Sequence, residues 1–158
     1  MLQLGSPAPE FTATLDSGET FRLADLRGKK NVVLYFYPKD ETAGCVREAC
    51  QFRDRYAAFR ELDAVIVGAS TDSAESHQRF REHHKLPFPL IADTDKRISR
   101  LFDARGLFGR PVRVTYIIDK DGVVRGAFQH DVLIGKHVGD TLERLAELQG
   151  VPATVSGS

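Results

Sequence analysis

Two cysteines, Cys45 and Cys50, stand five residues apart where aromatic, charged and turn residues crowd together, in the run Tyr35-Phe36-Tyr37-Pro38-Lys39-Asp40-Glu41-Thr42-Ala43-Gly44-Cys45. Two cysteines in a chain of 158 residues cannot form a disulfide framework that replaces a core, and a reducing cytosol would keep both as thiols. Such a pair can do redox or nucleophilic chemistry, bind a metal, or pack inertly. The thiolate is the reactive form of cysteine, and it is favoured at a helix amino terminus or beside a cation. Structural zinc sites want four ligands at short spacings. None of the five histidines, His77, His83, His84, His130 and His137, is near the pair in sequence. Free cysteine is also among the most buried residue types, so inert packing stays open at this point.

The elements that would position the pair can be read from hydrophobic period. Asn31 to Tyr37 is a continuous apolar and aromatic run, the pattern of a strand covered on both faces. From about Ala43 to Leu62 the period changes, and Cys45, Ala49, Phe52, Tyr56 and Phe59 recur at spacings of four and three. A strand therefore leads through a loop into a helix that carries both cysteines. Cys45 falls about one turn from the helix start, where unpaired backbone N–H groups and the positive end of the macrodipole favour an anion. Thr42, just before it, can cap the helix or turn its hydroxyl towards the sulfur. Five residues of intact helix separate the two Cα atoms by roughly 8.6 Å, beyond the roughly 7 Å limit for a disulfide without backbone movement.

The rest of the chain supplies a scaffold. Two short strands flank the Asp16-Ser17-Gly18 turn, a buried strand spans Ala64 to Ala69, and Asp72 or Ser73 can cap a helix running to His84, stopped by Leu86-Pro87. A short strand at Phe88 to Ile91, a helix capped by Thr94 or Asp95 and running to Phe102, and a loop from Asp103 to Pro111 follow. Arg113 to Ile118 and Val123 to Phe128 form a hairpin around Lys120-Asp121-Gly122, and a last helix covers Lys136 to Leu148. The order predicts an α/β class with a mixed sheet covered by helices on both faces, as one domain over 1–150 with a mobile tail at 151–158. Taken singly, several side chains have ordinary readings: Arg113 as a rim charge among Arg97, Arg100, Arg105 and Arg110, Glu48 in a surface salt bridge, and His83 and His84 as solvated residues. Gly106 and Gly109 are not followed by the lysine of a phosphate loop.

The constellation Pro38-x-x-x-Thr42-x-x-Cys45 resembles the active-site signature of the peroxiredoxins. With Tyr35 to Asp40, Gly44-Cys45 and Glu48-Ala49-Cys50, it resembles the peroxiredoxin Q or bacterioferritin comigratory protein subfamily. The likeness extends through Gly5 to Phe11, Ser70-Thr71-Asp72-Ser73 with Ser76-His77, Leu86-Pro87-Phe88 and Arg113 to Gly122. It implies a thioredoxin-like fold and peroxidase activity towards hydrogen peroxide and organic hydroperoxides. By the same resemblance Cys45 matches the peroxidatic cysteine and Cys50 the resolving one, joined as an intramolecular disulfide. Thr42 matches the hydroxyl that orients peroxide, Pro38 the proline that shields the sulfur, and Arg113 the arginine that supports the thiolate. Glu48 matches a position near that arginine, and Gly44 precedes the nucleophile. Relatives commonly carry proline where this chain has Ala43.

Composition adds exclusions. Twenty-two basic and twenty-two acidic residues cancel, so no overall field gathers nucleic acid or anionic membrane. No stretch approaches a membrane span, and the amino terminus has no basic segment followed by an apolar run. With what the resemblance implies, the expected protein is a cytoplasmic monomer with no cofactor and no metal, whose partners are a hydroperoxide and thioredoxin or a similar dithiol reductant, with glutaredoxin or glutathione as other donors. The alternatives are a thiol-disulfide oxidoreductase, disfavoured because that chemistry typically uses Cys-x-x-Cys, and a peroxide-sensing redox switch.

Overall fold

The computed structural model describes residues 1–105, 112–129 and 134–150. Its strands are β1 (Thr12–Thr14), β2 (Thr20–Arg22), β3 (Asn31–Phe36), β4 (Ala64–Ser70), β5 (Leu90–Ala92), β6 (Val114–Ile118) and β7 (Val124–Gln129). Its helices are α1 (Ala43–Asp54), α2 (Tyr56–Glu61), α3 (Ala74–His84), α4 (Arg97–Leu101) and α5 (Ile134–Leu148). No helix among the described residues is long and apolar enough to cross a membrane.

The central sheet has the order β5-β4-β3-β6-β7, with β3 parallel to β4, β4 parallel to β5, and antiparallel pairing from β3 through β6 to β7. It is the mixed sheet expected from the sequence, and β3 lies at its centre. Alternation along that strand builds two cores. Val33, Tyr35 and Tyr37 face a cluster completed by Cys45, Ala49 and Phe52 of α1, Phe59 of α2, Phe80 of α3 and Val138, Leu142 and Leu145 of α5. Val32, Leu34 and Phe36 face the opposite cluster, with Phe11, Ala13, Leu23 and Ile98 of α4. Helices therefore cover both faces, and β1 and β2 share the second face with α4.

Local departures from the sequence reading have physical causes. The helix expected over 43–62 is interrupted at Arg55, whose ψ of 11° is not helical. The apolar stripe keeps its phase because Arg55 N–H still bonds Gln51 O and Phe59 N–H bonds Arg55 O, both at 3.2 Å. Ser73 caps α3 by accepting the Ser76 N–H, leaving Asp72 to make another contact. At α4 the buried Asp93, in place of Thr94, takes the N–H groups of Ile98 and Ser99 at 3.0 and 2.9 Å. The helix starts later than expected because Lys96 turns left-handed at φ 62°. The short strand begins at Leu90 instead of Phe88. Residues 106–111 of the expected loop, His130, and the tail at 151–158 lie outside the described residues.

Gly68 of β4 is paired with Tyr35 across the parallel ladder. A Cβ at Gly68 would stand 2.8 Å from both Tyr35 Cζ and Leu90 Cδ2. The Tyr35 ring cannot retreat, because it stacks on Phe52 with centroids 4.7 Å apart and on Tyr37 at 5.4 Å. Gly68→Ala should therefore destabilise the protein by about 1–3 kcal/mol through overpacking. Chemical denaturation would read this as a lower midpoint, and an unchanged midpoint would refute the crowding.

Candidate active site

Cys45 is the third residue of α1, and its helix begins where the chain leaves β3. Thr42, in extended conformation at φ −78° and ψ 148°, precedes the first helical residue. The first intrahelical bond runs from Val46 N–H to Thr42 O at 2.8 Å, so the N–H groups of Ala43, Gly44 and Cys45 come before the helical ladder. That places Cys45 in the first turn, at the positive end of the macrodipole, as the spacing predicted. Cys45 is 1% exposed because its stripe, with Ala49 and Phe52, packs on Tyr35 and Tyr37. Cys50 is half-buried, and both cysteines are free thiols.

Arg113, one residue before β6, reaches the same point from the sheet. Its Nη2 donates to Cys45 Sγ at 3.6 Å, and its Nη1 donates to Glu48 Oε1 at 2.7 Å. Arg113 is 8% exposed and Glu48 fully buried. The ordinary readings of both, a rim charge and a surface salt bridge, give way to a buried ion pair that ties β6 to α1. Burial opposes the charge on Arg113, but Glu48 and Cys45 outweigh it and hold the guanidinium protonated.

Behind this pair is a group the sequence reading did not place. His137 of α5 is buried, with Nε2 3.5 Å from Glu48 Oε2 and in hydrogen-bond contact with the Thr115 hydroxyl of β6. No local pattern marks it, since three distant elements bring these side chains together. The Tyr35 hydroxyl is buried, and it and Glu48 Oε2 have no hydrogen-bond partner among the described residues. Burial, with Glu48 next, pushes the Tyr35 phenol well above its usual range, so it stays neutral.

Thr42 does not cap the helix with its side chain; its hydroxyl donates to Lys39 O at 2.9 Å instead. Pro38 is half-buried just past β3, and Gly44 is half-buried in the first turn of α1. Asp40, in the same loop, is 5% exposed and heavily bonded. It accepts from Tyr37 Oη at 2.7 Å and Ser76 Oγ at 2.8 Å, and its N–H donates to Asp72 at 2.9 Å. His77 Nδ1 meets Asp40 Oδ2 at 2.7 Å, while Nε2 faces the Ile91 carbonyl at 2.9 Å. A carbonyl only accepts, so Nε2 carries a proton. Asp40 and His77 were visible in the sequence only as parts of motifs, because their contact is a tertiary one.

Glu48 gives this site a pH signature. Burial raises its carboxyl from 4.5 to about 7, against the opposing pull of Arg113. A carboxyl that ionises later in the folded chain than in the unfolded one stabilises the fold fully below the unfolded value. That contribution is lost as pH rises through the folded value. Between about 4.5 and 7 the protein should therefore lose up to roughly 3 kcal/mol from this group. Glu48→Gln should flatten that part of the stability profile, measured by urea unfolding at stepped pH. Identical slopes in parent and variant would contradict the assignment.

The chain matches the family model described as AhpC/TSA family over residues 4–127. It is 42% identical over 154 residues to peroxiredoxin Bcp of Bacillus subtilis, a match spanning 93% of this chain and 97% of that one. It is 41% identical over 146 residues to the chloroplastic peroxiredoxin Q of Oryza sativa subsp. japonica, covering 91% of this chain and 67% of the relative. Among solved structures, the peroxidoxin BcpB of Mycobacterium tuberculosis superposes with a TM-score of 0.87 at 32% identity, covering 94% of this chain and 99% of that one. The bacterioferritin comigratory protein of Xanthomonas campestris, whose structures address alkyl peroxide reduction, gives 0.82 at 29% identity, covering 94% and 98%. The mixed sheet and its helices are thus the thioredoxin-like fold of these proteins. The chain belongs to the AhpC/TSA family, in its Bcp and peroxiredoxin Q group, and is a thiol peroxidase that reduces peroxides at the expense of a thiol reductant.

Proposed function

We propose that Cys45 is the peroxidatic cysteine and Cys50 the resolving cysteine of a cycle that closes an intramolecular disulfide. The observation that carries this reading is the Arg113 guanidinium 3.6 Å from Cys45 Sγ, at the start of a helix that also holds Cys50. The Cys45 thiolate attacks one peroxide oxygen, the O–O bond breaks, and the departing oxygen leaves as hydroxide or alkoxide and takes a proton. Arg113 and the N–H groups at the helix start stabilise the charge that develops on that oxygen. The Thr42 hydroxyl gives its own proton to Lys39 O, so its lone pairs are open to accept the peroxide O–H. Pro38 and Gly44 bound the approach to the sulfur, and Glu48 holds the guanidinium in place.

Cys50 then attacks the Cys45 sulfenic acid, forming the S–S bond and releasing water. An external dithiol reduces the disulfide, and thioredoxin is the assigned donor. Hydrogen peroxide and alkyl hydroperoxides are the assigned substrates, the latter supported by the alkyl peroxide reduction activity of the similar Xanthomonas protein. A monomer working in the cytoplasm completes the reading.

Single-turnover peroxide reaction and thioredoxin-coupled assay would test the two roles separately. Cys45→Ser should consume no peroxide beyond background, while Cys50→Ser should react once, stop as sulfenic acid and over-oxidise. Sustained turnover by Cys45→Ser would overturn the nucleophile, and normal coupled turnover by Cys50→Ser would overturn the resolving role.

Resolution requires motion, because cysteines five apart in intact α1 have Cα atoms about 8.6 Å apart. The first turn must open, and Ala43 sets how easily. It occupies the first helical position, where its N–H makes no helical bond, and Thr42 before it is already extended, as a residue before proline must be. Ala43→Pro should fit without strain, stabilise the protein by about 0.4–1 kcal/mol, and slow disulfide closure relative to peroxide attack. Rapid-quench mapping of thiols would check this, and unaltered closure would locate the opening elsewhere.

A further inference from the structure

The carboxyl end of α3 and the loop before α1 meet in a cluster that the peroxide chemistry does not use. His83 Nδ1 lies 2.8 Å from Glu41 Oε2, and His84 Nε2 lies 2.6 Å from Glu41 Oε1. One ligand atom from each residue falls within 4.8 Å of the others. Expected as solvated histidines, the two rings stand together with centroids 4.2 Å apart. His84 is well anchored: Phe80 meets its ring edge-on, and its carbonyl accepts Arg53 Nη1 of α1 at 2.8 Å. Glu41 is held at φ 60°, a left-handed conformation unusual for a glutamate.

Two imidazoles and one carboxylate converging on one point form the donor set of a zinc-class ion, with further positions left to water. Donors around a tetrahedral zinc sit about 3.4 Å apart at bond lengths near 2.1 Å. The two N···O contacts, at 2.8 and 2.6 Å, would open towards that separation as a cation takes the place of the ring protons that now point at Glu41. The other cluster of similar composition, Asp40, Asp72 and His77, differs in being closed. There both imidazole nitrogens and the carboxylates are already engaged by Ile91, Tyr37, Ser70, Ser76 and the Asp40 N–H. Glu41 and His83 are exposed, leaving an approach from solvent.

We propose that Glu41, His83 and His84 form a binding site for a divalent transition metal of the zinc class, and that its occupancy slows resolution by fastening the loop before α1 to α3. Glu41 immediately precedes Thr42, so a metal bond at Glu41 restrains the first turn of α1 at the point where it must open. The binding half stands on the cluster alone; the regulatory half rests on the resolving role given above to Cys50.

Calorimetric titration with Zn²⁺ of the Cys45→Ser/Cys50→Ser double variant, which removes thiol ligands, tests the site. Saturable one-to-one binding is expected, weakened at least the roughly tenfold that loss of even an outer partner costs when His83→Asn or His84→Asn is added. No binding at millimolar zinc, or binding indifferent to both substitutions, would overturn it. In the otherwise unaltered enzyme, one equivalent of zinc should leave the first peroxide reaction at its normal rate and slow disulfide closure severalfold, and His83→Asn should abolish the slowing. Slowing that persists in His83→Asn, or closure at the normal rate with zinc bound, would refute the regulatory half. A parent enzyme that forms no 45–50 disulfide even without zinc would refute the resolving role instead, leaving the titration to decide the site.

Discussion

Everything at this site depends on keeping one positive charge inside the protein, next to a sulfur. Arg113 is almost wholly excluded from water, and an unpaired charge in that position would cost several kcal/mol. Glu48 makes the arrangement tolerable, because it meets Arg113 at 2.7 Å and leaves the second guanidinium nitrogen to face Cys45. The pair must therefore be brought together by rigid elements, and it is: β6 is hydrogen-bonded to the central strand, and α1 packs its apolar stripe on that strand's aromatic face. Glu48 itself is only imperfectly satisfied, with Oε2 short of a hydrogen bond, and burial leaves its carboxyl near 7. A group poised there can take or give a proton at physiological pH. His137 and Thr115 behind it extend the polar network to α5.

In the cycle proposed above, the helix serves two demands that conflict. Cys45 needs the first turn formed, since the N–H groups and the dipole that support negative charge exist only at an intact helix start. A bond to Cys50 needs that turn opened. The protein resolves the conflict by distributing its anchors unequally along α1. Glu48, Ala49 and Phe52 are fully buried on one side, whereas Ala43 is exposed and Gly44 half-buried. No acidic residue reinforces the first turn, and the Thr42 side chain bonds the preceding loop, not the helix. The end that must yield is the end with the least holding it.

How much of this could be read from the sequence follows from the range of each interaction. Cys45, Cys50 and their helix were legible because a periodic stripe and a helix start are local patterns. The central strand was legible because a run of six apolar and aromatic residues, Val32 to Tyr37, leaves little choice of environment. The Arg113 pairing was visible only through the resemblance, since Glu48 is 65 residues away and four other arginines looked equally eligible. His137 carried no signal at all: a lone histidine on a helix looks the same whether it faces water or a buried glutamate. The break at Arg55 was missed for the opposite reason, because the stripe runs through it in phase and period alone sees no interruption. His83 and His84 looked like an exposed helix end, which holds for His83 but not for the half-buried His84; what brings Glu41 to them is the fold of the loop.

That loop explains where opening stops. On its amino-terminal side the buried Asp40 is fixed by Tyr37, Ser76 and His77 through its side chain and by Asp72 through its N–H. Removing Asp40 from these partners would strand the buried His77 Nδ1 and Tyr37 hydroxyl away from water, a cost of about 1–3 kcal/mol for each. On the carboxyl-terminal side, Glu48 is held by Arg113. Between the two lie Glu41 to Arg47, of which only Cys45 is buried. In the cycle proposed above, opening is thereby confined to about one and a half turns of α1, Ala43 to Arg47, while Arg113 keeps its partner and β3 its place in the sheet. On the roles proposed for Cys45 and Cys50, the charged pair that meets the Cys45 sulfur thus also marks the boundary beyond which the helix has no need to unfold when the disulfide closes.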